Sequence, residues 1–398
     1  MTEDIDQTEG NESEEGGVRL DFETAPRFKS LQLTNFLSYK QATLEFDDFI
    51  AIVGTNASGK SNAVAAIKLL REIPVHGLPT AIARRGGFDQ LRHRSDGHPN
   101  NPALKLTFAF EGRPDSYYEL RLAAVKGKRY EVRSERAVIN MEGKPWSFYC
   151  DGKRVRWNNG DLEGESEGFP VAPGQSSLTS GGGLAAYVVY QTLQRMQTVE
   201  INPARVGELQ EPSSTREFES DGSNTASVFE SLNPRARAEL ADELAAVVPG
   251  IARIEVRNLA DRQTLAFFQE TETKNREFFA KQMSDGTLRA FGILLAMLQP
   301  AQPSLLIIEE PEVAIHLGAL RTLVEILEQQ SERSQIVITT HSADIVDALP
   351  IEALRVVWND SGSSHLAPIS QHSRQVVRNG LITAGALLRA DSLDPELP

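Results

Sequence analysis

Apolar and polar positions alternate through residues 30–36 (SLQLTNF) and again through 42–46 (ATLEF), the two-residue period of half-buried strands. The alternation stops at Phe49–Val53 (FIAIV), where five apolar residues run together up to Gly54, as in a central strand covered on both faces. Val64, Ile67, Leu69 and Leu70 then recur at helical spacing and predict a helix over 61–72. Buried strands return late in the chain, at 304–308 (SLLII) and Gln335–Thr340 (QIVITT), with a helical pattern over Leu317–Gln330 between them. Short alternating segments from 103 to 139 predict an antiparallel meander. Residues 160–183, rich in Gly, Ser, Pro and Glu, predict a loop, and 184–196 a short helix. Pro234 just after Asn233 is a start signal for a helix running to Val248, and strands are expected at 251–256 and 264–269. Residues 361–373 read as a polar loop, and 381–388 as a short apolar helix or docking segment. Buried strands followed by helices at both ends, with a long middle between them, predict a split α/β domain.

Composition narrows the class. Apolar residues make up 40% and charged residues 24% of the 398, which excludes a collagen-like, largely disordered or disulfide-stapled chain. Cys150 is the only cysteine, so no internal disulfide can form. No run approaches the ~20 apolar residues of a membrane helix. The acidic start lacks the basic and apolar regions of a secretory signal. A cytoplasmic protein with no membrane partner is expected. Net charge is −14, and the first sixteen residues carry seven acids and no base. Half of the excess therefore belongs to a tail, residues 1–27, expected to be disordered. The mildly acidic remainder argues against a chain coated in basic charge but is compatible with a local nucleic-acid groove.

Residues 54–61 read GTNASGKS, a phosphate-loop pattern that follows a buried strand and opens a helix. Gly54 and Gly59 let the backbone curl so that N–H groups point at phosphate oxygens, and the helix start adds its positive end. Lys60 can reach the β- and γ-phosphates, the Ser61 hydroxyl can bind Mg²⁺, and Asn56 and Asn62 complete the expected nucleotide-binding set. Residues 304–312 read SLLIIEEPE, a buried strand ending in carboxylates. Glu309 takes the metal position, one methylene longer than the usual Asp. Glu310 takes the position that polarises the attacking water. His341 ends the third buried strand, where its ring can reach a γ-phosphate. His316 reads either as a contact in a partner-facing loop or as a surface residue. Residues 283–287 (MSDGT) open a helical run, so Ser284 and Gly286 form a second anion cradle.

That order of phosphate loop, long insert, Ser-x-Gly helix start, acidic strand and histidine resembles the ABC-type ATPases. Within them the chain resembles the SMC/RecF-like branch, specifically the small RecF-like ATPases of the AAA_21 group. The resemblance rests on LQLTNFLSYKQATLEF running into FIAIVGTNASGKSNAV, then RGGF, DGSNTASVFESL, MSDGTLR, IIEEPEVAIH and TTHSADIVDAL. It implies an α/β fold, an ABC-type ATPase head with a mixed β-sheet lobe and a helical lobe that carries the signature. It also implies ATP and Mg²⁺ as cofactors, and a homodimer on ATP binding. In that head-to-tail dimer Ser284 and Gly286 of one subunit close on the ATP of the other. Gln191 and Gln194 are candidates for the glutamine that links metal to the helical lobe. The fuller leucine-serine-glycine-glycine-glutamine signature of transporter ATPases is missing.

The expected organisation is a tail (1–27), an N-terminal ATPase lobe with the meander (28–140), and an insertion with the helical lobe (141–280). A C-terminal ATPase lobe (281–360) and a C-terminal segment (361–398) complete it. No acid-rich strand set follows His341, so an effector, nuclease or toxin-like, is expected on a separate polypeptide. DNA repair or defence against foreign DNA is the expected setting, with sequence-independent DNA contact. Arg84, Arg85, Arg92 and Arg94 read as such a contact or as a solvated loop. The alternatives are an energising subunit of a membrane transporter and a scaffold that binds ATP with little turnover.

Overall fold

The computed structural model describes residues 25–94, 100–127, 129–141, 143–161, 168–269 and 276–396. Strand β1 (Arg27–Phe36) turns into β2 (Tyr39–Glu45) and then β3 (Phe49–Val53). Helices α1 (Lys60–His76), α2 (Leu78–Ala83) and α3 (Phe88–Leu91) follow. Then come β4 (Ala103–Ala109), β5 (Ser116–Val125), β6 (Arg129–Ile139), β7 (Trp146–Cys150), β8 (Arg154–Asn158) and a two-residue β9 (Phe169–Pro170). Helix α4 (Gly183–Gln194) leads into β10 (Met196–Val199). Helices α5 (Pro203–Gly207), α6 (Thr225–Ser231) and α7 (Pro234–Val247) precede a small antiparallel sheet of β11 (Ile251–Leu259), β12 (Arg262–Gln269) and β13 (Arg276–Phe279). From α8 (Asp285–Leu298) the chain alternates through β14 (Leu305–Glu309), α9 (Leu317–Gln330), β15 (Gln335–Thr340), α10 (Ala343–Ala348) and β16 (Leu354–Asp360). It closes with β17 (Ser363–Pro368), α11 (Gln371–Arg378) and α12 (Ala384–Arg389).

Five parallel strands lie in the order β10-β14-β15-β3-β16, and a wing antiparallel except at the short β17–β2 contact continues from β16 to complete a fourteen-stranded sheet. The apolar runs in these strands follow from this placement, because each strand feeds two cores. Ile50, Ile52, Leu305, Ile307 and Val337 pack with α1 and α4 on one face. Phe49, Ala51, Val53, Leu306, Ile308, Ile336 and Ile338 pack with α7 to α10 on the other. Each such fully buried aliphatic contributes about 1.5–3 kcal/mol, so both faces demand apolar residues. The phosphate-loop and acidic segments leave this sheet at the C-terminal ends of its parallel strands, where ligand crevices form in open α/β sheets.

Two stretches differ from the sequence expectation. Residues 361–373 are not a loop, because β17 pairs with β16 and touches β2 at Ser364↔Tyr39, and α11 begins at Gln371. Its polar Ser363, Ser364 and His365 carry little strand signal, and tertiary pairing on both sides decides the outcome. Residues 146–158, assigned to an insertion, form the β7–β8 hairpin that widens the wing. The acidic tail lies outside the described residues up to residue 24, and Arg27 already belongs to β1. Among the described residues no helix is long and apolar enough to cross a membrane.

Candidate nucleotide-binding site

Strand β3 ends at Gly54, and the loop to α1 turns through left-handed backbone at Ala57 (φ 62°) and Gly59 (φ 122°). A Cβ on Gly54 would stand 2.3 Å from the Val357 carbonyl oxygen, and one on Gly59 2.3 Å from Ser364 Oγ. The β16–β17 hairpin thus presses on the loop at both glycines. It also clamps it: Ser364 Oγ donates to the Ser58 carbonyl (2.6 Å) and shares a hydrogen bond with Ser38 Oγ (2.7 Å), and Asn62 Nδ2 donates to Ser38 Oγ (2.7 Å). Tyr39 OH donates to the Gly59 carbonyl (3.0 Å). Asn56 and Ser61 are exposed at the mouth, and Ser58 Oγ is buried without a hydrogen-bond partner among the described residues. A cavity of about 680 Å³ borders the loop, walled by residues 54–58, by β16 and by the C-terminal Leu388, Asp391 and Leu393.

Lys60 is 6% exposed, and its Nζ donates to the carbonyls of Gly54 (2.8 Å) and Thr55 (3.0 Å). Burial lowers its pKa, while the charges of Glu310 and Glu312 oppose that shift. A poorly hydrated ammonium resting on neutral carbonyls has much to gain from phosphate oxygens.

At the end of β14, Glu310 adopts left-handed backbone (φ 46°), which costs a non-glycine residue roughly 1 kcal/mol and turns the chain off the sheet. Its N–H still donates to the Thr339 carbonyl (3.0 Å). Glu310 Oε1 lies 3.3 Å from His341 Nδ1, and Glu312 Oε1 lies 3.5 Å from the same nitrogen. Glu312 is nearly buried and accepts from Thr340 Oγ1 (2.7 Å) and His341 N–H (3.2 Å). Its other oxygen has no hydrogen-bond partner among the described residues. Lys60, Glu310, Glu312 and His341 therefore converge from the ends of three neighbouring parallel strands. Glu312 was missed in the sequence, where it fits a solvated turn after Pro311.

Glu309 faces another way. Its Oε1 lies 2.6 Å from Lys68 Nζ of α1, which also contacts Glu200 at 3.2 Å. Burial alone would lower the Lys68 pKa, but Glu309 and Glu200 outweigh it and hold the ammonium above its ordinary value. Lys68 has no place in the phosphate-loop pattern, so no motif pointed to it.

Ser284 caps α8, accepting from Thr287 N–H (3.2 Å). A Cβ on Gly286 would stand 2.2 Å from the Ala314 carbonyl oxygen, so own-chain packing already requires that glycine. His316 caps α9, its Nδ1 accepting from Gly318 N–H (3.1 Å). The starts of α8 and α9 open on one cavity of about 380 Å³, which no residue of the phosphate loop lines. Both metal-linking candidates lie on α4, where Gln194 Nε2 donates to Tyr190 OH (3.3 Å). Of the four arginines, Arg85 is paired with Glu72 (2.7 Å) and Arg92 with Asp89 (3.4 Å), while Arg84 and Arg94 are exposed.

Residues 188–347 match the family described as "AAA domain, putative AbiEii toxin, Type IV TA system", and residues 27–76 match the family described as "AAA ATPase domain". No curated protein matches the chain. Among solved structures, an Smc head bound to the C-winged helix domain of ScpA is 15% identical, with a TM-score of 0.56 over 88% of this chain and 99% of that one. An Smc head domain with an extended coiled coil, bound to the C-terminal domain of ScpA derived from Pyrococcus furiosus, is 13% identical, with a TM-score of 0.53 over 89% and 99%. These heads share the fold of a mixed sheet flanked by helices. This chain carries the fold of those heads, and both of its family matches, over residues 27–76 and 188–347, are to AAA families.

Proposed function

We propose that this ATPase binds and hydrolyses Mg-ATP at the phosphate loop, in a homodimer whose subunits pair head to tail. The observation that carries this reading is the convergence of Lys60, Glu310, Glu312 and His341 at neighbouring strand ends. In it, Lys60 leaves the Gly54 and Thr55 carbonyls for the β- and γ-phosphates, and loop N–H groups from Gly54 to Ser61 line the phosphates. Glu310 takes the proton of the attacking water, and His341 holds that carboxylate on one side while facing the γ-phosphate. Glu312 fixes the His341 backbone and ring. The residues fit a hard cation: Ser61 offers an exposed hydroxyl, and Glu309 a mostly buried carboxylate whose Oε1 already sits against the Lys68 cation. Mg²⁺ held there would offset phosphate charge.

Ser284 and Gly286 serve the partner's ATP, since their cavity is separate from the phosphate loop and gathers two helix starts. The toxin-system description of the matching family and the ScpA-bound state of the Smc heads support a separate protein effector, nuclease or toxin-like. A setting in DNA repair or defence against foreign DNA follows from the resemblance of the motifs to the SMC/RecF-like branch. DNA contact, sequence-independent, would fall to exposed arginines such as Arg84 and Arg94, and would weaken steeply with salt.

ATP turnover and retention test the site. Lys60→Ala should lose nucleotide binding. Glu310→Gln keeps the shape without the base, so ATP should bind and persist with turnover down about 10²–10⁴-fold. Turnover by Glu310→Gln at the wild-type rate would refute Glu310 as the base.

A further inference from the structure

Two adjacent parallel strands end in carboxylates that share one cation. β10 and β14 pair with Val199 opposite Ile308, so Glu200 and Glu309 leave the sheet side by side. Lys68 places its Nζ 2.6 Å from Glu309 Oε1 and 3.2 Å from Glu200 Oε2. The Glu309 side chain is only 15% exposed, so water screens this contact weakly. Its buried Oε1 is the atom that Lys68 contacts, so a second cation reaching Glu309 would compete with this ammonium. Lys68 stands seven residues after Ser61, on the same face of α1 and about 10 Å further along its axis. The extra methylene of glutamate over aspartate lengthens the reach of Glu309 down that face.

We propose that Lys68 is a latch on Glu309. It holds the metal-position carboxylate away from the loop, and nucleotide-borne Mg²⁺ must displace it, with Glu200 keeping the released ammonium. Glu309 thereby passes from one cation to another and is never left bare in a shielded site, where an unpaired carboxylate is costly. The latch rests on the assignment of Glu309 to the metal. Its consequence is that the chain needs more Mg²⁺ for nucleotide binding than the same site would without Lys68.

The test reads the Mg²⁺ midpoint for binding a fluorescent, non-hydrolysable ATP analogue, with no turnover involved. Lys68→Met should lower that midpoint roughly three- to tenfold, the size expected for loss of a partly shielded ion pair. Lys68→Arg keeps a cation on the carboxylate and should leave the midpoint unchanged or raise it. In a Glu309→Asp background, where the carboxylate is too short for Lys68, Lys68→Met should have no effect. A general field from the lost charge would instead act in both backgrounds. Wild-type binding indifferent to Mg²⁺ would overturn the metal assignment itself. Mg²⁺-dependent wild type with an unmoved Lys68→Met, or with equal shifts in both backgrounds, would overturn the latch alone. A drop in Lys68→Arg as large as in Lys68→Met would do the same.

Discussion

Lys60 sits where burial favours its neutral form and two carboxylates favour its charge, and the balance falls below the ordinary lysine value. Nucleotide binding needs the ammonium, so affinity should fall as pH rises through the Lys60 pKa. Glu312→Gln removes one of the charges that raise that pKa. The alkaline loss of binding should therefore begin at lower pH than in the wild type, measured as nucleotide affinity across about pH 7–10. A limb that stays put or moves upward would show that Glu312 does not act on Lys60. The placement of Lys60, Ser61, Glu310 and His341 was legible because each belongs to a short pattern at a strand end. Glu312 was not, because its role depends on Thr340 and His341, 28 and 29 residues further along. Lys68 was not either, because the Glu309 it meets lies on another element far along the chain.

At the scale of elements, the strands with continuous apolar runs were readable because a run such as FIAIV is stable only between two cores. The Leu317–Gln330 and Gln335–Thr340 elements fall where the pattern put them. The β7–β8 hairpin carried an Asp151-Gly152 turn signal and alternating aromatics, but its strands are only five residues each. The β16–β17 hairpin had no such signal in its second strand, yet it packs against the phosphate loop at Gly54 and Gly59 and bonds the Ser58 carbonyl. Ser364→Ala should cost about 1–2 kcal/mol by stripping the Ser58 carbonyl of its donor and Ser38 of a hydrogen-bond partner. Nucleotide affinity should fall several-fold with the phosphate loop itself intact in sequence. Calorimetric binding checks this, and an affinity equal to wild type would mean the loop holds its shape without the hairpin.

At the scale of the whole molecule, the parallel strand ends gather Lys60, Glu310, Glu312 and His341, and the starts of α8 and α9 open on a separate cavity. The cavity at Ser284 and Gly286 and the cavity at residues 54–58 share no lining residue. In the proposed head-to-tail dimer a complete site would be built by two copies, each giving its phosphate loop to one site and its α8 start to the other. Lys60→Ala removes one contribution and Ser284→Arg the other, so each variant alone should be inactive. The most direct test is to mix the two variants and measure ATP hydrolysis. A mixed dimer pairs the intact Lys60 of one chain with the intact Ser284 of the other, giving one working site. Random mixing should therefore restore roughly a quarter of wild-type activity. No recovery on mixing, or full activity of Ser284→Arg alone, would contradict a site shared between two subunits.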